Sequence, residues 1–160
     1  MAIRTRVGQG FDIHRFVDGP SDRVLVLGGV KFPGETPLAG HSDADVIAHA
    51  AADALLGAAS LGDIGMHFPD TDPRWKGADS MQLLREVTSL VARDGWQVEN
   101  VDVNFVCERP KIAPHRAAMQ ENLAAAIGAP VSVKGRRAEG LGAIGRAEGI
   151  ACLAVALLTK

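Results

Sequence analysis

The chain has no tyrosine, and aromatic residues make up only 4% of it. A surface that stacks the bases of single-stranded nucleic acid needs such rings, which argues against that partner. Cysteine is scarce as well: Cys107 and Cys152 lie far apart, outside any C-x-x-C arrangement. They read as free thiols on apolar strands in a reducing compartment. No apolar run is long enough to span a bilayer, and the opening MAIRTRVGQGFDIH has no apolar block like that of a secretory signal. The expectation is a cytoplasmic protein with no membrane partner. Charge of either sign is nearly balanced, with a formal net charge of −2, so no global field draws in nucleic acid or anionic lipid. Any phosphate must be met by local cations or bound metals.

What is present is ordinary in bulk: 160 residues, 47% hydrophobic and 22% charged, enough for one globular domain over residues 1–160. Ile3, Thr5 and Val7 alternate with polar neighbours on towards Phe11, Ile13 and Phe16, predicting a first strand. RVLVLGGVKF predicts a second, interrupted at Gly28-Gly29. Ser42-x-x-Asp45 fits a capping box, predicting a helix from Ser42 to about Gly57. The Gly-, Pro- and Asp-rich loop from Leu61 to Ser80 is longer than an idle connection needs. Met81, Leu84, Val87, Leu90 and Val91 recur at helical spacing between a cap at Asp79 or Ser80 and a stop at Gly95. A strand from Val101, a helix from Pro114 to Gly128, the strand VSVK and a long apolar C-terminal strand complete an α+β, or mixed α/β, class.

Chemistry concentrates in two stretches. In GQGFDIHRF, Asp12 and His14 stand two apart in a strand, so both side chains leave one face. His49, about two turns into the predicted helix, can close a three-ligand set that leaves a fourth tetrahedral position open, as catalytic zinc requires. Asp45 and Asp53, four residues to either side, are candidates to hold the second ring N–H of His49. His41 and Ser42 fall at the expected helix N-terminus, where free N–H groups and the positive dipole end favour an anion, although capping alone accounts for Ser42. Further cations, Lys111, Lys134, Arg136, Arg137 and Arg146, sit in turns thinned by Gly135, Gly140, Gly142 and Gly145. Among them Glu139 is suited to a hard ion such as Mg²⁺ that bridges phosphates.

Together GQGFDIHRF, AGHSDADVIAHAAADALLGAASLGDIG, FPDTDPRWKGADS, RPKIAPH and GRAEGIAC resemble the 2-C-methyl-D-erythritol 2,4-cyclodiphosphate synthase family over essentially the whole chain. The resemblance implies one sheet with helices on one side, assembled as a homotrimer around a threefold axis with active sites at the interfaces. It implies intramolecular phosphoryl transfer: 4-diphosphocytidyl-2-C-methyl-D-erythritol 2-phosphate gives the cyclic diphosphate and CMP, a step of non-mevalonate isoprenoid synthesis. It assigns Zn²⁺ to Asp12, His14 and His49, and Mg²⁺ or Mn²⁺ to Glu139 with the substrate phosphates. Asp12, His14, His41, Ser42, Asp63, Gly65, Phe68, Asp70 and Asp72 would touch substrate. So would Cys107, Pro110, Lys111, Ile112 and Ala113, with Lys111 near the cytidine diphosphate, and Arg136, Arg137, Ala138, Glu139 and Arg146. His41 would stabilise the transition state. Arg146, Glu148, Phe11 and Ile13 resemble the lining of an axial cavity that takes an isoprenoid phosphate.

The chain departs from this pattern where the family commonly carries a run of threonines. Here Gly135-Arg136-Arg137-Ala138-Glu139 stands, with Arg137 in the catalytic place. Arginine donates to phosphoryl oxygens and adds a full charge, so it can serve as the second catalytic group beside His41. Ala143-Ile144 likewise replaces a bulkier aromatic pairing. Two rival readings fit the same residues: a metal-dependent nucleotide pyrophosphatase using water, and a trimeric isoprenoid-phosphate-binding protein with a structural metal.

Overall fold

The computed structural model describes residues 3–160. Its centre is a four-stranded sheet in the order β1 (Thr5–Arg15), β6 (Gly149–Thr159), β4 (Gln97–Val106), β5 (Val131–Arg136). β6 runs antiparallel to both β1 and β4, while β5 lies parallel to β4. The parallel pair needs a crossover, supplied by α4 (Arg116–Ile127), which ends at a left-handed Gly128. RVLVLGGVKF is not one interrupted strand. Gly28 and Gly29, both at positive φ, turn the chain between β2 (Leu25–Leu27) and β3 (Val30–Phe32), making a small antiparallel hairpin.

The helix α1 (Val46–Ala59) is buried along nearly its whole circumference, between the sheet and α3 (Ser80–Arg93). Its alanines let neighbours close in on both sides. On β1 the residues beneath it are Gly8 and Gly10, and a Cβ on Gly10 would stand 1.9 Å from the Ala50 carbonyl oxygen. Helix and strand therefore touch backbone to backbone. Because side chains alternate along a strand, Asp12 and His14 continue the glycine face, while Val7, Phe11 and Ile13 fall on the other. That other face is bare: Phe11 is 53% exposed, Val7 67%, and Leu153 and Val155 of β6 join them. Among the described residues no helix is long and apolar enough to cross a membrane.

α1 begins at Val46, not Ser42. Ala44 adopts a left-handed φ of 59°, which breaks any helix over 42–45. Asp45 is the N-cap, its carboxylate accepting the N–H groups of Ile47 and Ala48 at 3.2 Å each. It also accepts Gly28 N–H at 2.9 Å and Gly29 N–H at 2.8 Å, which fastens the hairpin to the helix. α3 starts as expected, capped by Asp79, and Gly95 follows its end at positive φ.

Candidate metal centre and its surroundings

β1 presents Asp12 and His14, and the first turn of α1 presents His49 towards them. Among the described residues these are the one group of three His, Cys or carboxylate donors close enough to share an ion. Asp12 Oδ2 lies 3.0 Å from His14 Nε2 and 3.1 Å from His49 Nδ1, and the two nitrogens are 3.3 Å apart. Donors bound tetrahedrally at ~2.0–2.1 Å stand about 3.3–3.4 Å from one another, so this triangle already has nearly the size a zinc-like ion requires. The donor set suits a divalent ion.

The remaining ring nitrogens fix the tautomers. His14 Nδ1–H donates to the Ala39 carbonyl at 2.8 Å, freeing Nε2. His49 Nε2–H donates to Ser80 Oγ at 2.8 Å, freeing Nδ1. Ser80 in turn donates its hydroxyl to Asp43 Oδ1, and its N–H to Asp43 Oδ2 at 3.1 Å. The carboxylate behind His49 is thus Asp43, acting through Ser80, and neither Asp45 nor Asp53. Asp45 is occupied with the cap, and Asp53 accepts the Ile64 N–H at 2.7 Å. Where His14 Nε2 and His49 Nδ1 carry protons in place of an ion, they donate to Asp12; burial by itself would push its carboxyl up, but those hydrogen bonds outweigh it and hold Asp12 well below the usual carboxylate range. Burial likewise opposes the charged form of His14, and the Asp12 carboxylate overrides it and raises that imidazole.

Ser80→Ala is expected to weaken divalent-metal affinity by about 10- to 100-fold, because the His49 ring loses the acceptor that orients it. Competition against a chromogenic chelator measures this; wild-type affinity would exclude the Asp43–Ser80–His49 chain from ligand positioning.

The trio opens into a cavity of about 460 Å³, also lined by Gly40, His41, Ser42, Gly65, Phe68, Asp70 and Trp75. Arg23 holds its rim in place, donating to the carbonyls of Gly40 at 2.8 Å and Ser42 at 2.5 Å. Phe68 and Trp75 meet edge to face at 5.0 Å, closing the wall formed by the 61–80 loop. His41 Nε2 stands 3.2 Å from the Asp72 carbonyl. Ser42 Oγ accepts the Ala44 N–H and lies 3.2 Å from His49 Nε2, so it belongs to the support of the trio. The expected anion site at the helix N-terminus is corrected: the Asp45 carboxylate fills it, and His41 and Ser42 precede it in the loop.

Asp63 caps the short helix α2 (Ile64–His67). Asp72 caps the 3₁₀ turn Pro73–Trp75 and pairs with Arg74 at 2.6 Å. A separate cavity of about 180 Å³ is lined by Cys107, Pro110, Lys111, Ile112, Ala113, Arg136 and Arg137, together with Glu108 and Arg116. It has no lining residue in common with the first. Burial, then the nearby Glu108 charge, pushes the Cys107 thiol up to about 11, so it stays protonated. Both cysteines are free and buried. Lys134 is engaged by Asp102 at 2.6 Å, and Arg146 by Glu148 at 2.6 Å. Glu139 is exposed at the tip of the turn after β5, at φ 54° and apart from the trio. The sequence assigns no site role to Ser80, Asp43 or Trp75, and Ser80 reads there only as a cap candidate; Glu108 falls within the Cys107–Ala113 stretch that the resemblance places near substrate, with no role of its own.

A family model described as the YgbB family matches residues 5–159. A relative from Rubrobacter xylanophilus, named 2-C-methyl-D-erythritol 2,4-cyclodiphosphate synthase, is 58% identical over 97% of this chain and 95% of its own. The bifunctional IspDF of Campylobacter jejuni superposes with a TM-score of 0.92 at 40% identity, over 99% of this chain and 43% of that one. The IspF of Plasmodium falciparum, solved as a CDP complex, superposes with a TM-score of 0.82 at 35% identity, over 96% and 95%.

Proposed function

The chain belongs to the YgbB family, and we propose that it closes 4-diphosphocytidyl-2-C-methyl-D-erythritol 2-phosphate to 2-C-methyl-D-erythritol 2,4-cyclodiphosphate, releasing CMP, as an isoprenoid-precursor enzyme of the cytoplasm. The observation that carries this is the Asp12–His14–His49 triangle, assembled to the dimensions of a divalent ion in the lining of a cavity. In the reaction the 2-phosphate attacks the β-phosphorus of the diphosphate arm, the new P–O bond forms as the bond to CMP breaks, and CMP leaves as an anion. The nucleophile is ionised at neutral pH and needs no base. The difficulty is one anion approaching another: two unit charges at ~4 Å repel by ~1 kcal/mol in water and ~4 kcal/mol at an effective dielectric near 20. Catalysis therefore reduces to alignment and charge neutralisation.

Asp12, His14 and His49 would hold a zinc-like ion and Glu139 a Mg²⁺- or Mn²⁺-like one; such ions supply Lewis-acid charge to phosphoryl oxygens. The chain's own groups do the rest. His41 and Arg137 face the transferring group, Lys111 and Arg136 meet the cytidine diphosphate, and Gly65, Phe68 and Asp70 enclose the methylerythritol. Asp63, Asp72 and Ser42 shape that wall, and Arg146 acts nearer the axis.

Within one chain the trio and the Lys111–Arg137 cluster line different cavities, and an apolar sheet face with Phe11 at 53% exposure lies uncovered. A homotrimer built on that face would bring one subunit's trio against its neighbour's cations, and would enclose Phe11 and Ile13 about an axial cavity fit for an isoprenoid phosphate.

Incubating the protein with the cytidyl substrate, with and without chelator, tests the reading. Cyclic diphosphate plus CMP is expected, lost on chelation and restored by metal; linear hydrolysis products would favour the pyrophosphatase. Arg137→Ala is expected to lower kcat about a hundredfold, far more than it weakens CMP binding. An unchanged kcat would remove Arg137 from the mechanism.

A further inference from the structure

Arg137 does not stand alone at its cavity. Glu108, two residues beyond the end of β4, reaches across to it with a side chain only 12% exposed. Its Oε2 accepts from Arg137 Nε at 3.1 Å and lies 3.1 Å from Nη2. Its Oε1 accepts the Ala138 N–H at 2.7 Å. One carboxylate thus ties the end of β4 to the turn after β5 and grips the guanidinium by one edge.

A structural tie alone would not call for a charge here, since a neutral amide oxygen accepts the Ala138 N–H equally well. The cavity otherwise gathers cations, Lys111, Arg116, Arg136 and Arg137. A fixed negative charge among them opposes the binding of any polyanion, so its presence asks for a separate task. Arg137 supplies one: its side chain is 71% exposed and would otherwise sample many rotamers. Pairing through Nε and Nη2 leaves the Nη1 hydrogens and the second Nη2 hydrogen for an outside oxygen.

We propose that Glu108 is the positioning residue for Arg137, holding the guanidinium so that its free N–H groups meet the transferring phosphoryl group. The proposal rests on the reading of Arg137 as a transition-state contact. It predicts a division between kinetic constants: the fixed orientation serves the transition state, while the carboxylate does nothing for ground-state binding.

Steady-state kinetics of Glu108→Gln, Arg137→Ala and the double variant test this, with thermal midpoints measured alongside. Glu108→Gln keeps the acceptor for Ala138, so its midpoint should match the wild type. Its kcat should fall roughly tenfold, the scale of one charge-assisted hydrogen bond, with KM unchanged or lower. The double variant should be no slower than Arg137→Ala alone. Undiminished kcat in Glu108→Gln, or losses that multiply in the double variant, would overturn the proposal and leave Glu108 a tie between loops. Undiminished kcat in Arg137→Ala would instead remove the reading beneath it, and the proposal with it.

Discussion

His49→Ala is expected to empty the metal centre and to cost about three orders of magnitude in kcat while leaving the protein folded. The imidazole is one of only three donors in the cluster, and the 3.1 and 3.3 Å separations of its Nδ1 from Asp12 and His14 are lost together. Two donors on one strand cannot enclose a tetrahedral ion, so affinity should drop by more than the factor expected for Ser80→Ala, which spares all three. The rate falls because removing one central source of positive charge from a phosphoryl-transfer site costs on the order of 10²–10³, and here the ion goes entirely. Stability should change little: the ring faces the cavity, and alanine suits a helix interior. Elemental analysis, kinetics and circular dichroism would check each part. A folded His49→Ala enzyme with normal metal content and turnover would falsify the site.

Like a methyl on Gly8, Gly10→Ala is expected to damage the fold severely. The added carbon would lie 1.9 Å from the Ala50 carbonyl oxygen and 2.7 Å from the Ala54 nitrogen. These are backbone atoms, so no rotamer change relieves them. α1 would have to lift off the sheet, yet α3 packs on its far side. Overpacking against atoms that cannot yield should cost about 3 kcal/mol or more. Any lift also carries His49 away from Asp12 and His14, so metal affinity should fall with stability. Denaturant titration and chelator competition measure the two losses; a variant within about 1 kcal/mol of wild type would mean that the close contact is not maintained in solution.

The glycines show why the sequence reveals some of this fold and hides the rest. Strand alternation correctly places Asp12 and His14 on one face, and a helix opposite brings His49 to them. The same alternation does not say which face of β1 is buried. In the structure the buried side is the one with hardly any side chain, and the apolar side is bare. Only knowing which face the helix covers distinguishes the two. Ser42-x-x-Asp45 misleads for a related reason. The spacing of a capping box is local, but Asp45 also answers to Gly28 and Gly29, seventeen and sixteen residues upstream, and is itself the cap. The partner of His49 lies thirty-one residues downstream, where a serine reads only as a helix start. Glu108 and Arg137, twenty-nine residues apart, meet because β4 and β5 are parallel neighbours that end together. Local rules see none of these pairings.

The glycine seam beneath α1 also sets when an ion could enter the candidate site. Strand and helix are pressed together by contacts that owe nothing to an ion, so the socket is finished before it is filled. A zinc finger, by comparison, spends much of its metal affinity on organising its own chain. Here loading should be a late and reversible addition, and protein stripped by chelation should refill without passing through an unfolded form.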